Sequence, residues 1–159
     1  MGIVGDSLAV GSMPYWDAAF NSRGCVVKFV NARGGRSTAD GVNHIENIAN
    51  LGWMPDVLVV ALGTNDSIHP GDFGGRAQRV MTLAKGIPVV WVNLDKPFVE
   101  TTLNFSLNTV AMRHSNLWVY NWNQFADSHP QIRLGDQIHL TQGGYNLRAH
   151  MIANFVTGT

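Results

Sequence analysis

The sequence predicts an α/β fold: a three-layer α/β/α sandwich around a five-stranded parallel sheet in the flavodoxin-like order 2-1-3-4-5. Three observations predict it. Short apolar runs rich in β-branched residues alternate along the chain with longer stretches of helical spacing, the pattern of strands joined by crossover helices. The run Asp56-Val57-Leu58-Val59-Val60-Ala61-Leu62 is apolar almost without alternation, as a central strand buried on both faces requires. With right-handed crossovers and five strands, the doubly wound order is the simplest arrangement. In such sheets ligands bind at the carboxyl ends of the strands, where the strand order reverses. The first and third strands flank that point, and they end in Gly5-Asp6-Ser7 and Gly63-Thr64-Asn65-Asp66.

Taken in order, Met1 to Gly5 is a short apolar strand stopped by a Gly-Asp-Ser turn, which puts Ser7 at the start of a helix. Leu8 to Phe20 have mixed helical spacing, and Pro14 is expected to interrupt any single helix there. Residues 25–30, Cys-Val-Val-Lys-Phe-Val, read as the second strand, with Cys25 an inert thiol in strand core. A glycine turn, Asn31 to Thr38, follows, with Ser37 or Thr38 capping a helix whose inner face carries Val42, Ile45, Ile48 and Ala49. Beyond the third strand, residues 56–62, the spacing predicts a helix near 73–85, a strand over 87–92, a helix over 100–113, a strand over 117–120 and a last helix over 141–156 capped by Thr141. Neither a repeat nor a linker interrupts this, so residues 1–159 are expected to form one domain.

Composition narrows the function. Hydrophobic residues make up 45% of the chain, so a packed core is expected rather than disorder. Eleven Lys and Arg balance eleven Asp and Glu, and the charged fraction of 14% is low, which argues against an electrostatic grip on nucleic acid or an anionic membrane. No apolar run approaches the ~20 residues of a membrane span, and no basic-then-apolar leader stands before the first strand, so neither an anchor nor an export signal is expected. One cysteine leaves the redox compartment open. Compartment and oligomeric state have no signal in the sequence. The chain lacks the Gly-x-Ser-x-Gly elbow, the Gly-x-Gly-x-x-Gly fingerprint and the P-loop pattern, and no histidine pair has metal-ligand spacing. The tryptophans, Trp16, Trp53, Trp91, Trp118 and Trp122, read mainly as core, with Trp16 and Trp53 kept as candidate rim contacts for a sugar or acyl chain.

What remains is a serine at a helix start. A nucleophilic serine needs a base within hydrogen-bond reach and an acid that holds the base in the right tautomer. Six histidines compete: His44, His69, His114, His129, His139 and His150. Asp136-Gln137-Ile138-His139 couples a carboxylate to a histidine in a loop before the last helix, so that Asp136 would hold Nδ1–H while Nε2 faces Ser7. An oxyanion site needs converging donors. The Ser7 N–H, a glycine N–H from the turn after the second strand and the Asn65 amide are the candidates, while Asp66 reads as a loop brace.

These four segments, in this order, resemble the SGNH hydrolases, also called the GDSL esterases and lipases. The resemblance runs from Gly5 to about Gly144. It implies Ser7 as nucleophile, Gly35 as the glycine donor, Asn65 as the side-chain donor, and Asp136 with His139 as acid and base. Gln137 departs from the family, in which glycine is common at that place, and Gly34 is adjacent to the assigned Gly35. The segments Ala32 to Thr38 and His139 to Gly144 look most similar to small bacterial SGNH domains, including those attached to peptidoglycan O-acetyltransferases.

The expected activity is a serine esterase acting on short-chain, chiefly acetyl, esters of alcohols or carbohydrates through an acyl-enzyme on Ser7, with no metal or organic cofactor. Its partner is then a small-molecule or glycan ester. The rivals are an O-acetyltransferase with the same residues, and a carbohydrate-binding domain that keeps the fold without catalysis.

Overall fold

A computed structural model describes residues 1–67 and 69–158; Ile68, the side chain of Pro70, and Thr159 at the end of the expected domain lie outside the described residues. Five four-residue strands form one sheet: β1 (Gly2–Gly5), β2 (Phe29–Ala32), β3 (Leu58–Ala61), β4 (Val89–Val92) and β5 (Leu117–Tyr120). All neighbours are parallel and the order is β2-β1-β3-β4-β5, as the sequence predicts. Alternation along each strand divides the core. Ile3, Val59, Ala61, Val90 and Val92 face one layer, built from α1 (Ser7–Asn21), α5 (Trp122–Asp127) and α6 (Gln142–Thr157). Val4, Leu58, Val60, Val89 and Trp91 face the other, built from α2 (Thr38–Asn50), α3 (Pro70–Ala84) and α4 (Glu100–Ala111). A period of two thus feeds two cores from the same short strands.

Register sets the site. Gly5 of β1 pairs with Ala32 of β2 and with Ala61 of β3, so three strands end level and release their chains at one edge. Asp6 N–H donates to the Ala61 carbonyl at 3.1 Å and Arg33 N–H to the Gly5 carbonyl at 3.2 Å, carrying the pairing one residue past the strands.

Several expectations are corrected. Pro14 does not interrupt α1, which runs unbroken through it. Proline removes the hydrogen bond to the carbonyl four residues back, here that of Val10, and both residues lie on the solvent side, where an unpaired carbonyl costs little. The second strand begins at Phe29 rather than Cys25, because its partner β1 starts at Gly2 and pairs Gly2 with Phe29. Cys25 therefore precedes the strand as a half-buried free thiol, not strand core. The coil there is held to Met1 instead: the amino terminus donates to the Val26 carbonyl and Lys28 N–H to the Met1 carbonyl, each at 2.8 Å.

Trp16 is no rim residue, since it is buried with its ring stacked on Phe20 and its Nε1–H directed to the Ala9 carbonyl. Trp53 is exposed, and Trp118 faces solvent from the edge strand β5 instead of the core. The helix predicted near 73–85 starts at Pro70, and α4 ends at Ala111. The six-residue α5 and a 3₁₀ turn at Pro130–Ile132 were too short to leave a periodic signal. Ser37, not Thr38, caps α2, its Oγ accepting from Asp40 N–H, and Thr141 caps α6 by accepting from Gly144 N–H.

Gly5 sits where α1 turns back over the strand ends. A Cβ there would lie 2.3 Å from the Ala9 Cβ and 3.2 Å from the Ala61 carbonyl oxygen, neither of which is the end of a flexible side chain. Gly5→Ala is therefore expected to lower stability by about 1–3 kcal/mol, as overpacking does. A urea midpoint that falls with an unchanged slope would verify it.

Candidate active site

Ser7 is positioned by the residue before it. Asp6 has extended backbone and caps α1, its Oδ1 accepting from Leu8 N–H at 3.0 Å. Ser7 is then the first residue of α1, where N–H groups have no partner inside the helix and the helix dipole favours negative charge. Asp6 is itself buried. Burial pushes its carboxyl above the usual range, and the charge of buried Arg148 on α6 is the main influence opposing that. Burial in turn lowers the Arg148 guanidinium to about 10, and it lies over the Trp122 ring at 5.3 Å from the centroid.

The Ser7 Oγ lies 3.0 Å from His139 Nε2, and His139 Nδ1 lies 2.7 Å from Asp136 Oδ2. Three side chains from two segments far apart in sequence thus form one hydrogen-bonded line. The turn carrying Asp136 and His139 is rigidified by its own backbone. Arg133 and Leu140 form an antiparallel bridge, Leu134 N–H donates to the His139 carbonyl at 2.7 Å, and Gln137 N–H donates to the Leu134 carbonyl at 3.0 Å. Asp136 Oδ1 also accepts from the N–H groups of Ile138 and His139, at 3.0 and 2.9 Å. With the His139 bond foremost and these two behind it, the Asp136 carboxyl falls to about 2 and stays ionised. Gln137 has φ 61°, the left-handed conformation that glycine adopts freely, so the turn keeps its shape with an L residue in it.

The residues expected as donors sit on the neighbouring loops. Gly35 has φ 70° and is exposed in the turn after β2, whereas Gly34 has no positive φ, which separates the two adjacent glycines. The Asn65 Nδ2 donates to the Arg36 carbonyl at 3.0 Å. An amide nitrogen carries two protons, so this bond orients the side chain and leaves its second donor for another acceptor. Asp66 is a brace: Oδ1 accepts from Thr38 N–H at 2.9 Å and Oδ2 pairs with Arg76 at 3.2 Å.

Of the competing histidines, His114 bonds Gln78, and His129 bonds Ser128 and the Phe125 carbonyl. His44, His69 and His150 lie on α2, at the start of α3 and on α6.

Arg36 was not singled out from sequence. It is buried, and its Nη1 donates to the carbonyls of Gly5 at 3.2 Å and Asn31 at 2.6 Å, joining the ends of β1 and β2 behind the serine turn. Burial lowers its pKa from the ordinary value, with Arg33 adding to the effect. The available signal was an arginine directly after a glycine pair in a chain poor in charge. Lys96 likewise ties the loop after β4 to the site by donating to the Thr64 carbonyl at 2.7 Å. Among the described residues no cluster of three or more His, Cys, Asp or Glu is arranged to hold a metal ion, and no helix is long and apolar enough to cross a membrane.

No family model matches the chain, and no curated protein matches it. Solved structures do match over almost its whole length. The catalytic domain of peptidoglycan O-acetyltransferase A from Streptococcus pneumoniae superposes with a TM-score of 0.77 at 20% identity, covering 99% of this chain and 93% of that one. A family 3 carbohydrate esterase from Clostridium thermocellum gives 0.75 at 15% identity, covering 99% of both chains. A Desulfitobacterium hafniense protein assigned to the G-D-S-L lipolytic family gives 0.67 at 16% identity, covering 96% of this chain and 97% of that one. The chain has the SGNH-hydrolase fold. At identities this low the likeness is one of architecture, and the chemistry rests on the residues above.

Two outcomes are expected of the SGNH-fold turn at residues 134–139. Relief of left-handed strain, about 1–2 kcal/mol for an L residue, outweighs the ~0.5–1 kcal/mol of extra chain freedom that glycine brings. Gln137→Gly should therefore leave the free energy of unfolding in urea unchanged or raise it by up to about 1 kcal/mol, whereas Gln137→Val should lower it. The Asp136 carboxyl is depressed from 3.8 to about 2, so its bonds favour the fold above pH 3.8 and are lost as pH falls toward 2. Half-exposed Asp136 makes that contribution small. The stability difference between wild type and Asp136→Asn should close across this interval.

Proposed function

We propose that this chain is a serine esterase that removes short acyl groups, acetyl foremost, from alcohols or carbohydrates. The observation that carries the reading is the line from Ser7 Oγ through His139 to Asp136, with spacings of 3.0 and 2.7 Å at the carboxyl edge of the sheet. In this reading His139 Nε2 takes the Ser7 proton as Oγ attacks the ester carbonyl. Asp136 accepts from Nδ1–H, fixing the tautomer and steadying the imidazolium that forms. Negative charge on the carbonyl oxygen is met by the Ser7 N–H at the start of α1, the Gly35 N–H and the free Asn65 amide proton. The protonated His139 then releases the alcohol. A water, deprotonated by the same nitrogen, cleaves the acyl-enzyme and restores Ser7.

Two features favour short acyl groups and water as acceptor. The loops that leave β3 and β4 at this edge are short, residues 62–69 and 93–99, and offer little material for a lid or a long apolar tunnel. The His139 and Asp136 side chains are 40% and 50% exposed, so water reaches the acyl-enzyme readily. A second reading is acyl transfer to a sugar hydroxyl by the same residues. The likeness to a peptidoglycan O-acetyltransferase domain favours it, and product partition with and without an added acceptor sugar separates the two.

Ser7→Ala should abolish hydrolysis of p-nitrophenyl acetate with an unchanged circular dichroism spectrum, and retained turnover would sink the mechanism. Asn65→Ala should lower kcat by roughly 10²–10³, the loss typical of one oxyanion donor. A change under about threefold would assign the Asn65 amide to holding the Arg36 loop instead.

A further inference from the structure

Beside the turn that carries Asp136 and His139 lies a surface cavity of about 370 Å³, within the ~300–1,000 Å³ range of small-ligand sites. Its lining includes Asp95, Phe98, Glu100, Asp127, Arg133 and Gln137. Gln137, which lines it, belongs to the same turn as Asp136 and His139. Asp95, Pro97 and Phe98 line it from the loop after β4, whose Lys96 is tied to the carbonyl of Thr64, next to Asn65.

The cavity is built in three respects. Its floor is fixed: Arg133 bonds both oxygens of Asp95, from Nε at 2.8 Å and Nη2 at 2.6 Å, and also bonds Asp127 at 2.6 Å. Its backbone is strained: among the described residues the non-glycine positions with positive φ are Lys85, Phe98 and Gln137. Lys85 ends α3 as a left-handed cap, and the other two both line this cavity. Such strain persists where the surroundings enforce it, and it concentrates at ligand sites. Finally, two of its lining groups lack partners. Phe98 is 94% exposed, a phenyl ring held out to water, and Glu100 Oε2 is shielded from solvent without a hydrogen bond.

The lining selects the ligand. An acyl chain here would strip water from carboxylates and an amide without replacing their hydrogen bonds. Three carboxylates, Asp95, Glu100 and Asp127, face one guanidinium, Arg133, and this excess of negative charge disfavours an anionic ligand. A neutral pyranose has an apolar C–H face to lay on a phenyl ring and rim hydroxyls to donate to carboxylates. We propose that this cavity is a saccharide subsite, in which a neutral sugar unit stacks on Phe98 and donates hydroxyl hydrogen bonds to Glu100 and the Gln137 amide oxygen. The subsite deepens the esterase reading, on which it rests for the acyl group but not for the sugar.

The test pairs binding with turnover. Xylotetraose and N-acetylchitotetraose are titrated by isothermal calorimetry into wild type, Phe98→Ala, Phe98→Tyr and Glu100→Gln, with circular dichroism confirming folding. At least one oligosaccharide should bind wild type. Phe98→Ala should weaken that binding about tenfold or more, as loss of an aromatic anchor does, and Phe98→Tyr should preserve it. On O-acetylated forms of the same oligosaccharides, Phe98→Ala should raise KM, so that kcat/KM falls relative to that variant's own value with p-nitrophenyl acetate. Binding of neither oligosaccharide, or equal binding by wild type and Phe98→Ala, overturns the subsite. Absent turnover of p-nitrophenyl acetate by wild type overturns the esterase reading, and the calorimetric arm then decides the subsite by itself.

Discussion

The parallel pairing of β1 between β2 and β3 is the constraint on which the rest depends. Because Gly5 is level with both Ala32 and Ala61, the loops carrying Ser7, Gly35 and Asn65 leave the sheet at one edge and at one height. Parallel register admits no gradual adjustment: a slip of one residue would exchange the two core faces that Ile3 and Val4 serve. The burial energy of both layers therefore guards the alignment of three loops. Serine, glycine turn and asparagine are brought level by this packing requirement, and hydrogen bonds among their loops, from Asn65 to the Arg36 carbonyl and from Arg36 to the Gly5 carbonyl, then tie them together.

On this frame the polar groups near Ser7 are arranged in two zones. Asp6, Arg36 and Arg148 are buried behind the turn, where each charged group is costly and must face dipoles or an opposite charge. Arg36 meets this by bonding strand-end carbonyls, and Asp6 by capping α1. His139 and Asp136 stand at the surface in contrast, on a turn locked by its own hydrogen bonds. A rigid buried base under a solvent-open pair suits chemistry in which water is a reactant. It also leaves room at the surface for a ligand to extend sideways, over Gln137 and toward Phe98.

Most of the architecture is legible in local pattern. The strand order, the two-faced burial of β3 and the cap at Thr141 follow from apolar runs and turn chemistry, which act over a few residues, and the cap of α2 is narrowed by them to Ser37 or Thr38. The errors arise where a distant partner decides. Whether residues 25–28 join the sheet depends on where β1 begins, and whether Pro14 breaks α1 depends on which side of the helix faces water. Trp16 and Trp118 exchanged expected places for the same reason: apolarity is a property of the residue, but its side of the sheet or helix is a property of the packing.

The sequence by itself determined the chemical inventory: a serine at a strand-to-helix turn, an Asp-x-x-His pair before the last helix, and glycine and asparagine at two other strand ends. Those are properties of residue type and short spacing, so they survive without coordinates. Only the tertiary structure decided that Ser7 Oγ and His139 Nε2, separated by 132 positions, stand 3.0 Å apart. It alone brought Arg36 under the strand ends, and it alone set Phe98 and Gln137 around one cavity. Such meetings depend on sheet register and helix packing summed over the whole chain, and no local stretch of residues contains that information.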